Sequence, residues 1–227
     1  MVQRRRLGPQ RALSEAEILD AALGLLDEGG IRAASIRSIA ARVGVAPNAV
    51  YTYFPNKAAV LAGVVERILG EVEHDAVLDM ARPWRERVEA LALHLRERVL
   101  AHPAAVPLMI GAPMDGPNAL TLFERLLDLF CETGLGLPDA ARASYLVTVH
   151  VFGSMALNVA HGPDSGPLPP EADRVAVRRQ RFGSIPAERF PRSAAAAETS
   201  ATFITTEQYL WGLNRLLDGI TAKAATG

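Results

Sequence analysis

Gly44 constrains this chain more than any other residue. Before it, Ile36, Ile39, Ala40 and Val43 recur as they would on one face of a helix. After it, Pro47 opens a second helix at the first position, where its missing N–H does no harm. The stretch SIRSIAARVGVAPNAVYTYF, residues 35–54, therefore reads as two short helices joined at a glycine free to adopt a left-handed turn. The second helix keeps few apolar residues. Its outward positions, Asn48, Ala49, Thr52 and Tyr53, are small, polar and aromatic, which does little for a core and suits an external contact.

The flanking sequence is helical throughout. Ser14 with Glu17 three residues on matches a capping box. Ile18, Ala22, Leu25 and Leu26 then form a stripe that Gly29 and Gly30 end. Ser35 is the N-cap expected for the next helix. Further helices are expected from about Lys57 to His74, from Trp84 to His102, over 118–134, over 138–162 and from about Glu198 to Ile220. Prolines and glycines punctuate 103–117. The segment 162–197 reads as a long, partly ordered loop with one short helix near 171–181. No strand pattern or repeat emerges. The expected class is all-α: a three-helix helix-turn-helix domain over 1–60, then a larger helical domain over 61–227.

The helix at 138–162 is apolar almost all round, so it must be buried against something. No run approaches a membrane span, and the basic N-terminus lacks the apolar core of a secretory signal. One cysteine, Cys131, rules out an intramolecular disulfide. A cytoplasmic protein is expected. Net charge is −1, yet residues 1–60 carry eight Lys/Arg against five acids. A basic end on an acidic body suits a polyanion partner.

In a helix-turn-helix, Ile36, Ile39, Val45, Val50 and Phe54 would pack the two helices onto the first one. The outer face of the second would be free to enter a major groove. Asn48 can bond a base edge or a phosphate, Pro47 and Ala49 can touch a thymine methyl, and Tyr51 and Tyr53 can bond phosphates or bases. Lys57 begins the next helix, where ammonium and helix end together favour a phosphate. Arg37 points to the same side. A hairpin used only for packing is the alternative.

The segment SIRSIAARVGVAPNAVYTYFPNKAAVL resembles the DNA-binding region of the TetR family of bacterial transcription repressors. Ser35, Arg37, Ile39, Ala40, Gly44, Val45, Tyr51, Tyr53, Phe54 and Lys57 stand in the family's register. The resemblance implies DNA contacts from Ser35, Arg37, Pro47, Asn48, Ala49, Tyr51, Tyr53 and Lys57. Tyr53 stands where many members have histidine. The stretches at 101–135 and 207–220 resemble the body of the tetracycline-repressor branch. That branch implies a homodimer whose helices at about 139–161 and 198–220 pair in a four-helix bundle. It also implies a palindromic double-stranded operator and an inducer bound in the body. Met109 falls where the tetracycline repressor has a metal-binding histidine. A thioether cannot replace imidazole on a magnesium-type ion, so no metal and no tetracycline–magnesium ligand are expected, and no cofactor.

Candidate inducer-pocket residues are Leu91, His94, Leu95, Met109, Phe123, Leu126, Phe130, His150 and Met155. Each also suits plain core packing, and a mostly apolar pocket would suit an apolar or aromatic small molecule. Arg4, Arg5 and Arg6 read either as a DNA-reaching arm or as a solvated tail. Arg174, Arg178, Arg179 and Arg181 read as a solvated loop face or as partners for acids across a dimer. The five histidines, His74, His94, His102, His150 and His161, form no HExxH pattern, and no CxxC or phosphate-binding loop occurs. An enzyme is not expected. A helical-bundle enzyme and an operator binder without a small ligand stand as alternatives, which a lined cavity in the body would separate.

Overall fold

The structure is a computed structural model that describes residues 13–73, 75–160, 162–163 and 165–224. The basic arm Arg4–Arg6, His74 and His161 lie outside the described residues. Thirteen α-helices occur among those described, and no strand.

The first helix, α1 (Glu15–Ala33), starts with the full capping box: Ser14 accepts from the Glu17 N–H, and Glu17 accepts from Ser14. Gly29 and Gly30 leave helical geometry, Gly30 at φ 67°, and one more turn carries the chain to α2 (Ile36–Val43). Ser35 caps α2, and Gly44 ends it at φ 75°, its N–H turned back onto the Ala40 and Ala41 carbonyls. Pro47 opens α3 (Pro47–Tyr51). Asn56 caps α4 (Lys57–Gly70) through the Ala59 N–H. Ile18, Leu26, Ile39, Val50, Val60 and Val64 are completely buried and tie these four helices into one core.

The body contains α5 (Asp75–Leu78), α6 (Trp84–Ala101), α7 (Val106–Gly111), α8 (Pro117–Glu132), α9 (Leu137–Val159), α10 (Glu171–Gly183), α11 (Pro191–Ala195), α12 (Ala197–Ala201) and α13 (Thr206–Ala224). Helix α4 packs on α1 on one side and on α6, α7 and α8 on the other. Met109, Leu129, Phe130, Met155, Leu213 and Leu217 form the centre of the body.

Four expectations change. The helix from Lys57 stops at Gly70, four residues before His74: glycine is a weak helix former, and the Glu71 N–H turns back onto the Ile68 and Leu69 carbonyls to close the last turn. The stretch 103–117 contains a 3-10 turn at Pro103–Ala105 and the helix α7, since Pro103 and Pro107 stand in the first turn of their elements. The segment 162–197 forms two helices, α10 and α11, rather than one. The final helix is interrupted: α12 and a 3-10 turn at Thr202–Ile204 precede α13. At the break Thr205 is extended, and its Oγ1 accepts from the Gln208 N–H. Glu171 accepts from the Thr206 N–H, and these bonds start a new helix.

Helix α9 buries one face in the body and exposes another to solvent in the single chain. Leu146, Val149 and Leu157 are exposed, Val149 at 50%. Helix α13 runs beside it and exposes Trp211 at 60%. At their contact Gly212 makes room for His150, whose ring stacks on Tyr209 with 5.3 Å between centroids.

Candidate nucleic-acid interface and effector cavity

Helix α3 has five residues, and only Val50 of them is buried. The pattern around it leaves Pro47, Asn48 and Tyr51 exposed, Tyr51 at 51%, with Ala49 half-covered. On α2, Arg37 is exposed and Ser35 spends its side chain on the cap, accepting from the Ser38 N–H at 3.1 Å. Two of the expected DNA contacts have a second attachment. The Tyr53 hydroxyl donates to the Leu13 carbonyl, which fastens the start of the described chain to the turn after α3. Lys57 Nζ donates to the Ile31 carbonyl at 2.7 Å, beside the turn between α1 and α2. Arg42 of α2 forks onto Glu28 of α1, with Nη1 to Oε1 at 2.9 Å. That bond holds the exposed Glu28 carboxyl below its ordinary pKa.

The body holds a half-open apolar cavity of about 400 Å³ between α6, α8 and α9. That is within the size range of ligand sites, roughly 300–1,000 Å³. Leu91 and Leu95 of α6 and Phe123 and Leu126 of α8, four of the residues named from the sequence, line it. His94, Met109, Phe130, His150 and Met155 are not in its wall. Met109, Phe130 and Met155 face inward to the packed core. His94 Nδ1 lies 3.3 Å from the Glu73 carbonyl, and His150 Nε2 lies 3.0 Å from the Tyr209 carbonyl. Those backbone partners satisfy both imidazoles away from the cavity.

Val88, Ala92, Thr148, Val151 and Phe152 complete most of the wall, with Tyr145 also on it. The Thr148 hydroxyl donates to the Ser144 carbonyl at 2.9 Å, so it presents its methyl rather than a free donor. Met114 also lines the cavity and holds φ 55°, the left-handed region that side chains with a Cβ seldom occupy.

Two polar ties run from this cavity region to α4 and α1. The first is at the start of α8. Glu66 of α4 accepts the Asn118 N–H at 2.8 Å and the Ala119 N–H at 3.1 Å, two donors a helix start leaves orphaned. Asn118 Nδ2 donates back to the Glu66 carbonyl at 2.8 Å. Gly116 is required at the cap of α8, because a Cβ there would lie 2.2 Å from the Glu66 carboxyl carbon. The second tie is His102 Nδ1 to Asp27 Oδ2 at 2.8 Å, joining the end of α6 to α1. Sequence reasoning missed both ties. A Gly-Pro pair at 116–117 signals the start of α8, but no sequence spacing pairs residue 66 with 118.

Comparison with known proteins agrees with both halves. Residues 18–64 match the model of the tetR family of bacterial regulatory proteins, and residues 79–224 match the tetracyclin repressor-like C-terminal domain. An HTH-type transcriptional regulator of Saccharopolyspora erythraea is 29% identical over 200 residues, 87% of this chain and 83% of that protein. The crystal structure of a possible TetR family transcriptional regulator from Streptomyces coelicolor A3(2) superposes with a TM-score of 0.79 at 31% identity. It covers 92% of this chain and 99% of that one. The structure of the TetR family protein ActR from Streptomyces coelicolor in complex with actinorhodin gives a TM-score of 0.79 at 25% identity. It covers 94% of this chain and 99% of that one. With a matching head, a matching body and the same arrangement of helices, this chain belongs to the TetR family and is a helix-turn-helix transcriptional regulator.

Proposed function

We propose that this chain is a homodimeric repressor that reads a palindromic operator and leaves it when an apolar small molecule enters the body. The observation that carries this reading is the apolar cavity between α6, α8 and α9, one wall of which is latched to α4 by Glu66. A ligand that moves the start of α8 moves α4, and α4 packs directly on α1 of the head. Its power is bounded by its differential affinity for the two head spacings. Residues 1–60 form the head and 61–227 the body, with α4 running between them.

On this reading Arg37, Pro47, Asn48, Ala49 and Tyr51 meet the major groove or its phosphates, and Lys57 with Ser35 sits at the backbone. Tyr53 contributes mainly by fastening Leu13, since its hydroxyl is engaged there. The exposed faces of α9 and α13 form the dimer contact, two helices from each protomer. The ligand is neutral or weakly polar and aromatic or aliphatic, because the cavity wall has few polar groups. Among the described residues no helix is long and apolar enough to cross a membrane. The proposed site of action is the cytoplasm, on DNA.

The test is a salt-titrated footprint of the protein on DNA upstream of its own gene, followed by a screen of apolar aromatic compounds for release. A protected palindrome whose affinity falls steeply with salt, and which an apolar compound frees, supports the reading. Release only by highly charged or sugar-like compounds contradicts the ligand class.

A further inference from the structure

The second cavity of the body, about 430 Å³, has different chemistry from the first. It lies under α10, between that helix, the end of α9 and the 3-10 turn at Thr202–Ile204. Arg174, Arg178 and Arg181 line it from positions i, i+4 and i+7 of α10. Leu157, Val177 and Ile204 supply apolar wall. Asp173 is its one acid among the described residues, so cations exceed acids there by two.

Among the described residues none of the three arginines makes an ion pair within 4.0 Å, whereas their neighbour Arg179 pairs with Glu198 at 2.7 Å. Arg174 donates instead to the Pro169 carbonyl and to Asn158 Oδ1, and Arg178 to the Ala201 and Ser200 carbonyls. Neutral acceptors fix the geometry and supply no counter-charge. Asn158 is itself buried and anchored to the Ile204 carbonyl at 2.8 Å. Glu171 approaches Arg174, but it is shared with Arg96 at 3.6 Å. Burial first presses against the charge on both Arg174 and Arg178; for Arg174 the Glu171 carboxylate offsets part of this and Arg96 adds repulsion, and for Arg178 the repulsion comes from Arg181. Partly desolvated guanidiniums that outnumber the nearby acids are a standing cost. A carboxylate accepting from them in bidentate fashion relieves it.

We propose that this cavity binds an amphiphilic organic carboxylate, with the acid on the Arg174, Arg178 and Arg181 guanidiniums and the apolar body against Leu157, Val177 and Ile204. It is a second ligand site, separate in residues and in chemistry from the apolar cavity. The regulator thereby takes two classes of small molecule.

The test uses the full-length protein and calorimetric titration with 2-naphthoate and its neutral isostere 2-naphthamide. At least tenfold tighter binding of the carboxylate is expected. Arg181→Gln, at an exposed residue whose side chain makes no hydrogen bond or ion pair among the described residues, is expected to erase that preference while leaving the fold intact. Leu95→Trp, which fills the other cavity, is expected to leave it unchanged. Equal affinity for acid and amide overturns the proposal, as does a preference that survives Arg181→Gln or vanishes in Leu95→Trp. If Arg181→Gln instead converts the dimer to monomer, the cluster is a subunit contact and the proposal also falls.

Discussion

Glu66 and Asn118 hold each other from both ends: the Glu66 carboxylate takes the Asn118 N–H, and the Asn118 side chain bonds the Glu66 carbonyl, each at 2.8 Å. Two glycines on different elements, Gly70 and Gly116, leave the space this exchange needs. The bond is charge-assisted and sits at a helix start, where an anion is favoured. Glu66→Ala is expected to lower stability by about 1.5–3 kcal/mol, read as a fall in the thermal midpoint. It is also expected to keep operator affinity nearly intact while shrinking ligand-driven release at least tenfold. Glu66→Gln restores part of both. DNA affinity lost in parallel with release would contradict a transmitting role.

Filling the apolar cavity separates ligand response from DNA reading. Leu95 lines it without being fully buried, so Leu95→Trp adds volume at limited strain. Operator binding is expected to persist and release by an apolar ligand to disappear, measured by fluorescence anisotropy of labelled DNA. Leu91→Ala enlarges the same cavity and is expected to cost about 2–5 kcal/mol in stability.

Val149 and Trp211 are exposed on the two adjacent helices proposed to pair. Val149→Arg puts a charge in that contact. Light scattering after gel filtration is expected to give a monomer, and half-site geometry then costs operator affinity on the order of a hundredfold or more. A dimer that survives this substitution points to another face.

The Arg42–Glu28 fork gives the head a mild acid sensitivity. Glu28 has its pKa lowered in the folded chain by the hydrogen bond from Arg42, so the folded state binds fewer protons there than the unfolded one. The contribution is complete above the ordinary glutamate pKa of about 4.3 and is lost as pH falls through the lowered folded value. Both groups are exposed, so the effect is small. Thermal midpoints of the parent and of Glu28→Gln are expected to converge as pH drops below about 4.

Tyr53→Phe retains the ring and removes the bond to the Leu13 carbonyl. Faster hydrogen exchange around residues 13–17 is expected, with a several-fold loss in DNA affinity. An unchanged exchange pattern would assign Tyr53 to direct DNA contact alone.

The head was legible in the sequence because its signals are local. Ser14, Ser35, Gly44 and Pro47 each declare a helix boundary through their own backbone chemistry, and all four act as read. The body was legible in outline only. Periodicity found α6, α8 and α9, but it could not distinguish the inward face that lines a cavity from the inward face that fills a core. Leu95 and Phe123 therefore looked the same as Phe130 and Met155. The break before α13 was hidden because it depends on Glu171, a residue remote in sequence that reaches the Thr206 N–H. The Glu66–Asn118 exchange and the His102–Asp27 bond were hidden for the same reason.

The setting of Glu66 has a consequence for how salt acts on this regulator. Arg37 faces water, so the attraction to phosphate proposed for it is screened over the roughly 8 Å Debye length of physiological solution. The Glu66 carboxylate is spent at contact distance on backbone N–H groups, partly out of reach of mobile ions. On the proposed reading, a rise in salt thus thins the population on DNA while leaving the contact between body and head in place. Salt then imitates an inducer in occupancy but not in conformation, and the chain it releases is still in the shape that fits its operator.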